Sequence, residues 1–332
     1  MKPTAEFQRQ YEALRNGVGL RHLENWTLIE LTGDDRASFL HNFCTNDIKG
    51  LKSGSGCEAF VTNGQGKMLG FVFVFCCESS LELLTVPGQA EVLVSHLDRY
   101  LIREDVEIHD RSSQQAKLIL AGSRAIALLS KHGIKAPDEP MSHVSGELNG
   151  TQVVLRRVPW TGQECFVLGC DVNDVSPVTE SLLVTNKSEA DQPQVILCDS
   201  DAVEACRIES GMPKYAVDIT DANLPQEINR NDQAISFTKG CYLGQETVAR
   251  IDALGHVNRL LVGLKVEGPM IPEPGTDLTV GDKIVGKITS AAFSPALQTP
   301  LALALVRREH TMAATKISTA SSSAEVCAFP IC

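Results

Sequence analysis

The stretch that decides the fold reads Lys239-Gly240-Cys241-Tyr242-Leu243-Gly244-Gln245-Glu246-Thr247-Val248-Ala249-Arg250-Ile251. Its two glycines allow tight turns or the close approach of another group. The residues from Gln245 to Ile251 have the pattern of a short helix. A helix that begins there would direct free N–H groups and the positive end of its dipole toward Cys241, which is one way to activate a thiol. A buried structural thiol is the commoner fate of a cysteine. Taken alone, the stretch therefore favours a turn with a buried Cys241.

The composition is that of an ordinary globular protein. The chain has 332 residues, of which 43% are hydrophobic and 21% are charged, and this length suffices for two or three domains with their own cores. Forty-one acidic against thirty basic residues give a formal charge of −11. Nonspecific attraction to nucleic acid or to an anionic membrane is therefore disfavoured, and a small ligand or a protein partner fits better.

The cysteines do not form a recognisable framework. There are eleven, an odd number, scattered from Cys44 to Cys332 without a CxxC pair, and the histidines show no HxH or HxxxH spacing. The sequence thus predicts no metal site and a reducing compartment. The N-terminus lacks an apolar export segment, and the longest apolar run, residues 71–77, is too short to span a bilayer. We therefore expect a cytoplasmic protein.

Hydrophobic periodicity predicts a mixture of helices and strands up to Gly255 and mainly strands beyond it. Predicted helices cover 5–16, a segment opened by Asp34 and Asp35, 89–102, 123–131, and a segment from about 200 to Gly211. Predicted strands cover 26–31, 57–62, 67–76, 106–109, 117–120, 151–158 and 164–170, with a loop at 135–149 and a polar segment at 186–193. Beyond Gly255, short β-like runs at 259–266, 276–280, 283–293, 301–307 and 325–329 predict a separate all-β domain.

Glu209 occupies an awkward place in one of these helices. It lies in the last turn before Gly211-Met212-Pro213, where the helix dipole disfavours an anion by about 0.3 to 1 kcal/mol. A carboxylate there needs a cation such as Lys214, or a ligand that offers paired N–H donors, for example a heterocycle with an amino group beside a ring N–H. A solvated surface glutamate is the alternative.

A polar loop follows, and its acids have two interpretations. It holds Asp218, Asn223, Pro225 and Glu227. Clustered acids can bind Ca²⁺, but the spacing is not that of an EF-hand, so turn-forming Asx chemistry is favoured. No GxSxG, Walker or GxGxxG motif is present, which disfavours hydrolase and nucleotide-binding functions.

These residues together resemble a known family. The stretch Lys239 to Glu246 is similar to the K-G-C-Y/F-x-G-Q-E signature of YgfZ-type folate-binding proteins, which are relatives of the glycine-cleavage T-protein, an aminomethyltransferase. Further similar blocks occur in the same order over nearly the whole chain. They begin with Leu31-Thr32-Gly33-Asp34-Asp35-Arg36 and Thr62-Asn63-Gly64-Gln65-Gly66-Lys67, continue with Arg207-Ile208-Glu209-Ser210-Gly211-Met212-Pro213 and Leu224-Pro225-Gln226-Glu227, and end with Val285-Gly286-Lys287-Ile288-Thr289-Ser290 and Ser294-Pro295.

The resemblance implies a mixed α+β fold of three domains around a central folate-binding hole. The first is a discontinuous, ferredoxin-like α+β domain of residues 1–50 and 113–254. A second ferredoxin-like domain, residues 51–112, is inserted into it, and residues 255–332 form a C-terminal β-barrel.

The resemblance also implies a ligand and its contacts. The ligand is tetrahydrofolate or a one-carbon derivative. Glu209 would grip the pterin ring, and the other residues assigned to the folate site or to the signature are Arg207, Tyr242, Gln245, Glu227, Lys239, Gly240, Gly244 and Glu246. Cys241 becomes the leading functional residue.

One departure from the enzyme relatives bears on activity. Where T-proteins carry an Asp-Asp pair with a catalytic carboxylate, this chain has Gly70-Phe71. A phenyl ring cannot hold the proton or position the amine, so aminomethyl transfer by the family's mechanism is disfavoured.

Three functions stay open at this point. The first is a folate-binding factor that supports iron-sulfur cluster assembly or repair, with assembly proteins or client enzymes as partners. The second is a true aminomethyltransferase, with Asp105 or Glu107 as a substitute acid. The third is a scaffold that binds only a protein partner.

Overall fold

A computed structural model describes residues 3–162, 164–184, 194–255, 257–319 and 321–331. Its helices are α1 (Ala5–Asn16), α2 (Arg36–His41), α3 (Ala90–Asp98), α4 (Ala125–Lys131), α5 (Val175–Leu183), α6 (Ser200–Ser210), α7 (Asn231–Ala234) and α8 (Gln245–Leu254). Its strands are β1 (Val18–His22), β2 (Thr27–Thr32), β3 (Gly56–Thr62), β4 (Met68–Cys76), β5 (Leu81–Thr85), β6 (Glu107–Asp110), β7 (Gln115–Ala121), β8 (His143–Leu148), β9 (Thr151–Arg157), β10 (Cys165–Asp171), β11 (Val195–Leu197), β12 (Arg259–Val266), β13 (Asp277–Val280), β14 (Lys283–Ser294), β15 (Thr299–Arg307), β16 (Lys316–Ser318) and β17 (Ser323–Cys327).

Distant parts of the chain meet in a six-stranded sheet of order β11-β1-β7-β10-β9-β8. β1 pairs with β11 in parallel and with β7 antiparallel. Strands from both ends of the N-terminal two thirds therefore form one layer. Helix α6 follows β11 and ends at Gly211, whose φ of 73° lets its N–H bond to the carbonyls of Arg207 and Ile208, as the Gly-Met-Pro sequence predicts.

The second sheet is five-stranded, in the order β3-β4-β5-β2-β6. It begins earlier in the chain than the predicted inserted domain of residues 51–112, because β2 is one of its strands and the buried residues of α2 pack in its core. The hairpin between β3 and β4 is closed by the Asn63 side chain, whose Oδ1 accepts from the N–H groups of Gln65 and Lys67 at 3.0 Å. The exact domain boundaries stay a prediction.

The C-terminal strands close into a six-stranded barrel of order β12-β15-β14-β13-β16-β17, with β17 paired to β12. The all-β prediction beyond Gly255 is thus confirmed, and so is the mixed α+β class. Among the described helices, none is long and apolar enough to cross a membrane.

The three layers share one hydrophobic cluster in the middle of the molecule. It contains Tyr11 of α1, Phe71 of β4, Ile208 of α6, Tyr242 of the signature and Leu303 of the barrel. Because these side chains come from every layer, the signature stretch is fixed by the packing of the whole chain.

Seven elements were absent from the sequence prediction: β1, β5, β11, β16, α5, α7 and β8. The last is a correction, since residues 135–149 carry Pro137, Pro140 and Gly146 and were predicted to be a loop. β8 exists because its backbone pairs with β9 over residues 143–148, a tertiary contact that local propensity does not report. The predicted polar segment 186–193 lies outside the described residues.

Candidate folate and thiol site

Lys239 anchors the signature stretch to the segment that follows α2. Its ammonium donates to the carbonyl oxygens of His41 (2.6 Å), Cys44 (2.6 Å) and Asn46 (2.9 Å), and it lies 4.8 Å from the centroid of the Tyr242 ring. All three of its donors are thereby used. Burial lowers its pKa to about 8, although hydrogen bonds to the charged form act in the opposite direction. Lys239 is therefore an anchor of the loop.

Gly244 fixes the turn against the β3–β4 hairpin. Its φ is 84°, and a Cβ at this position would lie 2.7 Å from Cα and 2.8 Å from N of Gly66. Gly66 also has a positive φ, of 74°, and a Cβ there would lie 2.8 Å from Cβ of Thr247. The Thr62 hydroxyl adds a bond of 2.7 Å to the carbonyl of Leu243. Both glycines are needed because two backbones touch.

Gly240 is different from Gly244. A Cβ there would meet only Nε2 of His41, at 4.0 Å. The fold therefore leaves room beside this backbone that a side chain would fill. His41 is buried, and its Nδ1 lies 3.3 Å from Oδ1 of Asp47. Burial and the neighbouring Lys239 lower the pKa of His41.

Cys241 is exposed, which corrects the structural interpretation that the stretch alone favoured. The nine other described cysteines are buried or partly buried. Burial raises the pKa of several of them: to about 12 for Cys44, Cys77 and Cys198, and to about 11 for Cys165 and Cys170. Among the described residues, Cys241 is thus the accessible thiol.

The remaining signature residues frame this thiol. Tyr242 is 8% exposed, and burial raises its pKa to about 12, so it is a neutral phenol at physiological pH. The N–H of Gln245 donates to the Tyr242 carbonyl at 3.1 Å, and Glu246 is exposed in the first turn of α8. Helix α8 begins at Gln245, as the sequence predicts.

Glu209 is completely buried, so the alternative of a solvated surface glutamate is wrong. The Tyr11 hydroxyl lies 3.0 Å from both carboxylate oxygens, the Ser294 hydroxyl donates to Oε1 at 2.5 Å, and Arg15 Nη2 lies 3.3 Å from Oε2. The cation that the helix end requires is therefore Arg15 of α1 and not Lys214. Burial and the adjacent Glu209 raise the pKa of Tyr11, so the phenol stays a donor.

Arg207 is the hub of a second buried network. Its Nε donates to Glu204, its Nη1 to the carbonyl of Met212 and to Asp218, and its Nη2 to Glu204 and Ser290. Each N–H has a protein acceptor, so a ligand would have to displace one of them. The predicted folate contact of Arg207 stays a prediction.

Two acids of the polar loop, Asp218 and Glu227, carry turn and interface contacts. Asp218 is 1% exposed and accepts from Arg207, from the Lys214 N–H and from the Thr289 and Ser290 hydroxyls. Glu227 accepts from the Asn223 amide (2.8 Å) and the Leu224 N–H (3.2 Å). This is the turn chemistry that the spacing favours, and no group of three metal-ligating side chains occurs among the described residues. The predicted folate contact of Glu227 stays a prediction.

The predicted site residues form two separate groups. Lys239 to Glu246 lie against the β3–β4 hairpin and the segment after α2, whereas Glu209 and Arg207 lie between α1 and the barrel. The side-chain contacts of Glu209 and of Lys239 have no residue in common.

Gly70 and Phe71 fill their position with apolar contacts. Gly70 faces Leu93 of α3, since a Cβ there would lie 3.0 Å from Leu93 Cδ2. The Phe71 ring is 5% exposed, with centroids 5.2 Å from Phe60 and 5.7 Å from Phe73.

The two acids considered as substitutes lie elsewhere. Asp105 accepts from the Asp34 N–H at 3.0 Å, and Glu107 lies at the start of β6, where it contacts His109. β6 is an edge strand that pairs only with β2 within its sheet. Neither acid contacts the hairpin or the signature stretch.

Sequence reasoning missed Tyr11, Arg15 and His41 as site residues. Tyr11 and Arg15 are four residues apart on α1, so they share a face. A buried tyrosine and arginine on one face of an otherwise apolar stripe is a signal for a buried acid partner. The partner itself, 198 residues from Tyr11, cannot be read from that pattern.

The fold and the site define a mixed α+β protein that ends in a closed β-barrel. Residues 3–239 match the GCVT N-terminal domain, and residues 259–331 match the glycine cleavage T-protein C-terminal barrel domain. The chain therefore belongs to the glycine cleavage T-protein family.

Individual relatives agree with this assignment. A putative chloroplastic transferase of Arabidopsis thaliana is 29% identical over 84% of this chain, which spans 63% of that protein's length. An aminomethyltransferase of Streptomyces avermitilis is 25% identical over 91% of this chain and 81% of its own. The crystal structure of the glycine cleavage system aminomethyltransferase T from Bartonella henselae superimposes with a TM-score of 0.87 at 20% identity, covering 98% of this chain and 89% of that one.

Proposed function

We propose that this protein binds tetrahydrofolate or a one-carbon derivative and supports iron-sulfur cluster assembly or repair, as the resemblance to YgfZ-type proteins implies. The observation that carries the proposal is that the catalytic carboxylate of the enzyme relatives is missing while an exposed thiol is present. Where the enzyme relatives have a catalytic carboxylate, this chain packs the Phe71 ring between Phe60 and Phe73. The signature stretch meanwhile presents Cys241 as an exposed thiol.

The Glu209 carboxylate has the acceptor chemistry that the paired N–H donors of a pterin require, and because Glu209 is 0% exposed the side chains around it would have to move to admit the ring. A carboxylate offers about four acceptor positions, and protein groups take three: the hydroxyls of Tyr11 and Ser294 and the guanidinium of Arg15. A pterin offers two adjacent N–H donors, so it would take the free position and the one that Tyr11 bridges. Arg15, 3.3 Å from Oε2, would place a cation beside the carboxylate as it accepts from the pterin.

A bound folate would supply a carrier for one-carbon groups. The chain's own contribution is to hold the signature turn by Lys239 and Gly244 so that Cys241 stays at the surface. After losing its proton to solvent, an exposed thiol at that position can attack the outer sulfur of a donor persulfide and release the donor's thiolate, ligate a cluster iron, or add to the iminium carbon of a methylene-folate. The unfilled space beside Gly240 leaves a partner access to the thiol.

Thermal-shift titration with tetrahydrofolate and its one-carbon forms tests the ligand. At a concentration of one hundred times Kd, binding should stabilise the protein by about 2.7 kcal/mol. The shift should vanish in Glu209→Ala and persist in Glu180→Ala, a matched control, because Glu180 is also in the last turn of a helix but exposed.

A second variant guards against misfolding of Glu209→Ala. Tyr11→Phe leaves the carboxylate in place and removes the hydroxyl that bridges its oxygens, so tetrahydrofolate affinity should be kept or increased. A wild-type protein that shows no shift at saturating folate would contradict folate binding and support the scaffold function.

The role of the thiol is tested in cells that lack the protein. Cys241→Ser should bind folate like the wild type and fail to restore the activity of iron-sulfur enzymes. Equal restoration by Cys241→Ser and wild type would remove the thiol from the proposal.

Relatives named aminomethyltransferase support transfer of an aminomethyl group as the second candidate function. Turnover with an aminomethyl donor would decide for that candidate. Under the proposal we expect no turnover in the wild type, in Asp105→Asn or in Glu107→Gln.

A further inference from the structure

Two arginines lie directly opposite each other on the outside of the barrel. In the antiparallel pair of β12 and β15, Arg259 is the register partner of Arg307, and both are exposed. Like charges directly opposite on neighbouring strands destabilise a sheet. The arrangement therefore costs stability unless an anion joins it.

The partners of the two arginines leave this charge largely uncompensated. Arg259 lies 3.7 Å from Glu227 Oε1, a long contact with 48% of the arginine side chain exposed. Arg307 has no ion pair or hydrogen bond from its side chain to any described residue. Arg308, the next residue, donates to the carbonyl of Gly255 at 2.7 Å, so its guanidinium is held by a neutral acceptor.

Two open grooves meet at this arginine pair. One, of about 680 Å³, is lined by β14 and the loop at Val217, and the other, of about 780 Å³, is lined by residues 257–259, 307–309 and Met312; Arg259 and Arg307 line both. Each groove also has a large exposed apolar side chain. Ile284 is 55% exposed in the first, and Met312 is 77% exposed in the second.

The charge of the grooves is opposite to that of the chain. Their lining includes four cations, Arg259, Lys287, Arg307 and Arg308, and one anion, Glu309. Lys287 is paired with Asp277 at 2.6 Å and Arg259 lies near Glu227, so Arg307 and Arg308 carry most of the uncompensated charge. The whole chain has thirty cations and forty-one anions. A local basic surface on an acidic protein concentrates anionic partners.

We propose that the arginine pair and its two grooves dock an acidic, partly apolar segment of a partner protein. The carboxylates of the segment would bind between Arg259 and Arg307, where arginine forks bind carboxylates bidentately. Apolar residues on either side of them would cover Ile284 and Met312. The volumes of the two grooves, about 680 and 780 Å³, are far larger than a small anion fills, which favours a peptide segment. The inference is independent of folate binding.

Fluorescence anisotropy with a short fluorescein-labelled peptide that alternates glutamate with leucine tests the surface. The wild type should bind it with an affinity that falls as salt is added. Arg307→Glu and Arg259→Ala should each weaken binding about tenfold or more. Arg307→Lys should restore part of it, and Lys316→Glu, an exposed barrel cation outside both grooves, should leave it unchanged.

Two further measurements separate the alternatives. The same peptide with glutamine for glutamate should not bind, and inorganic phosphate should not displace the acidic peptide at equal ionic strength. Displacement by phosphate would overturn the proposal in favour of a small-anion site. Equal weakening by Lys316→Glu and Arg307→Glu would also overturn it, since net charge alone would then explain the binding.

The folded state gives an independent check. Because the free protein carries a like-charge pair, Arg307→Ala should melt no lower than the wild type while it loses the peptide. A large drop in Tm would show that Arg307 is needed for the barrel itself and would contradict a binding role.

Discussion

Gly244 and Gly66 lie in backbone contact, and each has a positive φ. This pair joins the signature turn to the hairpin of the five-stranded sheet, two segments almost 180 residues apart in the chain. Lys239 makes a second attachment next to it through three carbonyl groups. The thiol is thereby held on a rigid turn.

Gly244→Ala should destabilise the protein by about 2 kcal/mol or more, from left-handed strain and from overlap with Gly66. Gly255→Ala separates the two causes, because Gly255 has the same φ of 84° and no atom within 4 Å of a Cβ. It should cost about 1 kcal/mol. Gly240→Ala should stay within about 0.5 kcal/mol. Urea denaturation measures all three, and equal losses at Gly244 and Gly255 would contradict the contact.

Iodoacetamide should alkylate Cys241 first in the folded protein. The other described cysteines are buried or partly buried, and for those whose pKa is raised to 11 or 12 very little thiolate is present at pH 8. Mass spectrometry of tryptic peptides locates the label. The experiment uses a Cys332→Ser background, since Cys332 lies outside the described residues. Rapid labelling that survives Cys241→Ser would show that another thiol is the reactive one.

Arg207→Met should cost about 3 to 5 kcal/mol, because it leaves Asp218 buried without its cation. The double variant with Asp218→Asn should recover part of the loss, and Arg9→Met, on the exposed face of α1, should cost little. Urea denaturation gives the free energies of unfolding. Tetrahydrofolate affinity of Arg207→Met, measured below its unfolding temperature, tests the predicted ligand contact separately. A loss below about 1 kcal/mol would contradict the structural role.

The limits of some helices and strands were predicted correctly because local sequence signals determine them. Helix α1 and strand β12 have the predicted limits, and Gly211 ends α6 as its sequence requires. These features depend on periodicity and on the φ preference of glycine. Runs of short strands predicted an all-β domain and the family resemblance implied a barrel, but closure of the barrel by β17 against β12 depends on pairing at a distance.

The contacts of the candidate site residues could not be predicted from the sequence, and the roles assigned to those residues stay predictions. The resemblance singled out Glu209 and the signature stretch, and both hold unusual positions in the structure. Tertiary packing brings Tyr11 and Arg15 to Glu209, and strand register places Arg259 opposite Arg307. A one-residue shift of a strand would change such a pairing. The exposure of Cys241 likewise depends on how Lys239 and Gly244 hold the turn, and composition alone favoured burial.

Lys117 should make the protein more stable as the pH rises from 8 to 10. It is 1% exposed, donates to the Ser112 carbonyl at 2.9 Å, and has its pKa lowered from 10.5 to about 8 by burial and by the neighbouring Arg156. Between these two pKa values the unfolded chain binds a proton that the folded chain has released, so the free energy of unfolding rises with pH.

For one group the gain over this range is about 2 kcal/mol. Urea denaturation at successive pH values should show the free energy of unfolding of the wild type rising relative to that of Lys117→Met. Contributions from Lys239 and from the buried tyrosines are common to both proteins and cancel in this comparison. Lys316→Met, which removes an exposed lysine, should run parallel to the wild type. If Lys117→Met runs parallel as well, Lys117 keeps its proton in the folded state, and its hydrogen bond to Ser112 outweighs the cost of burial.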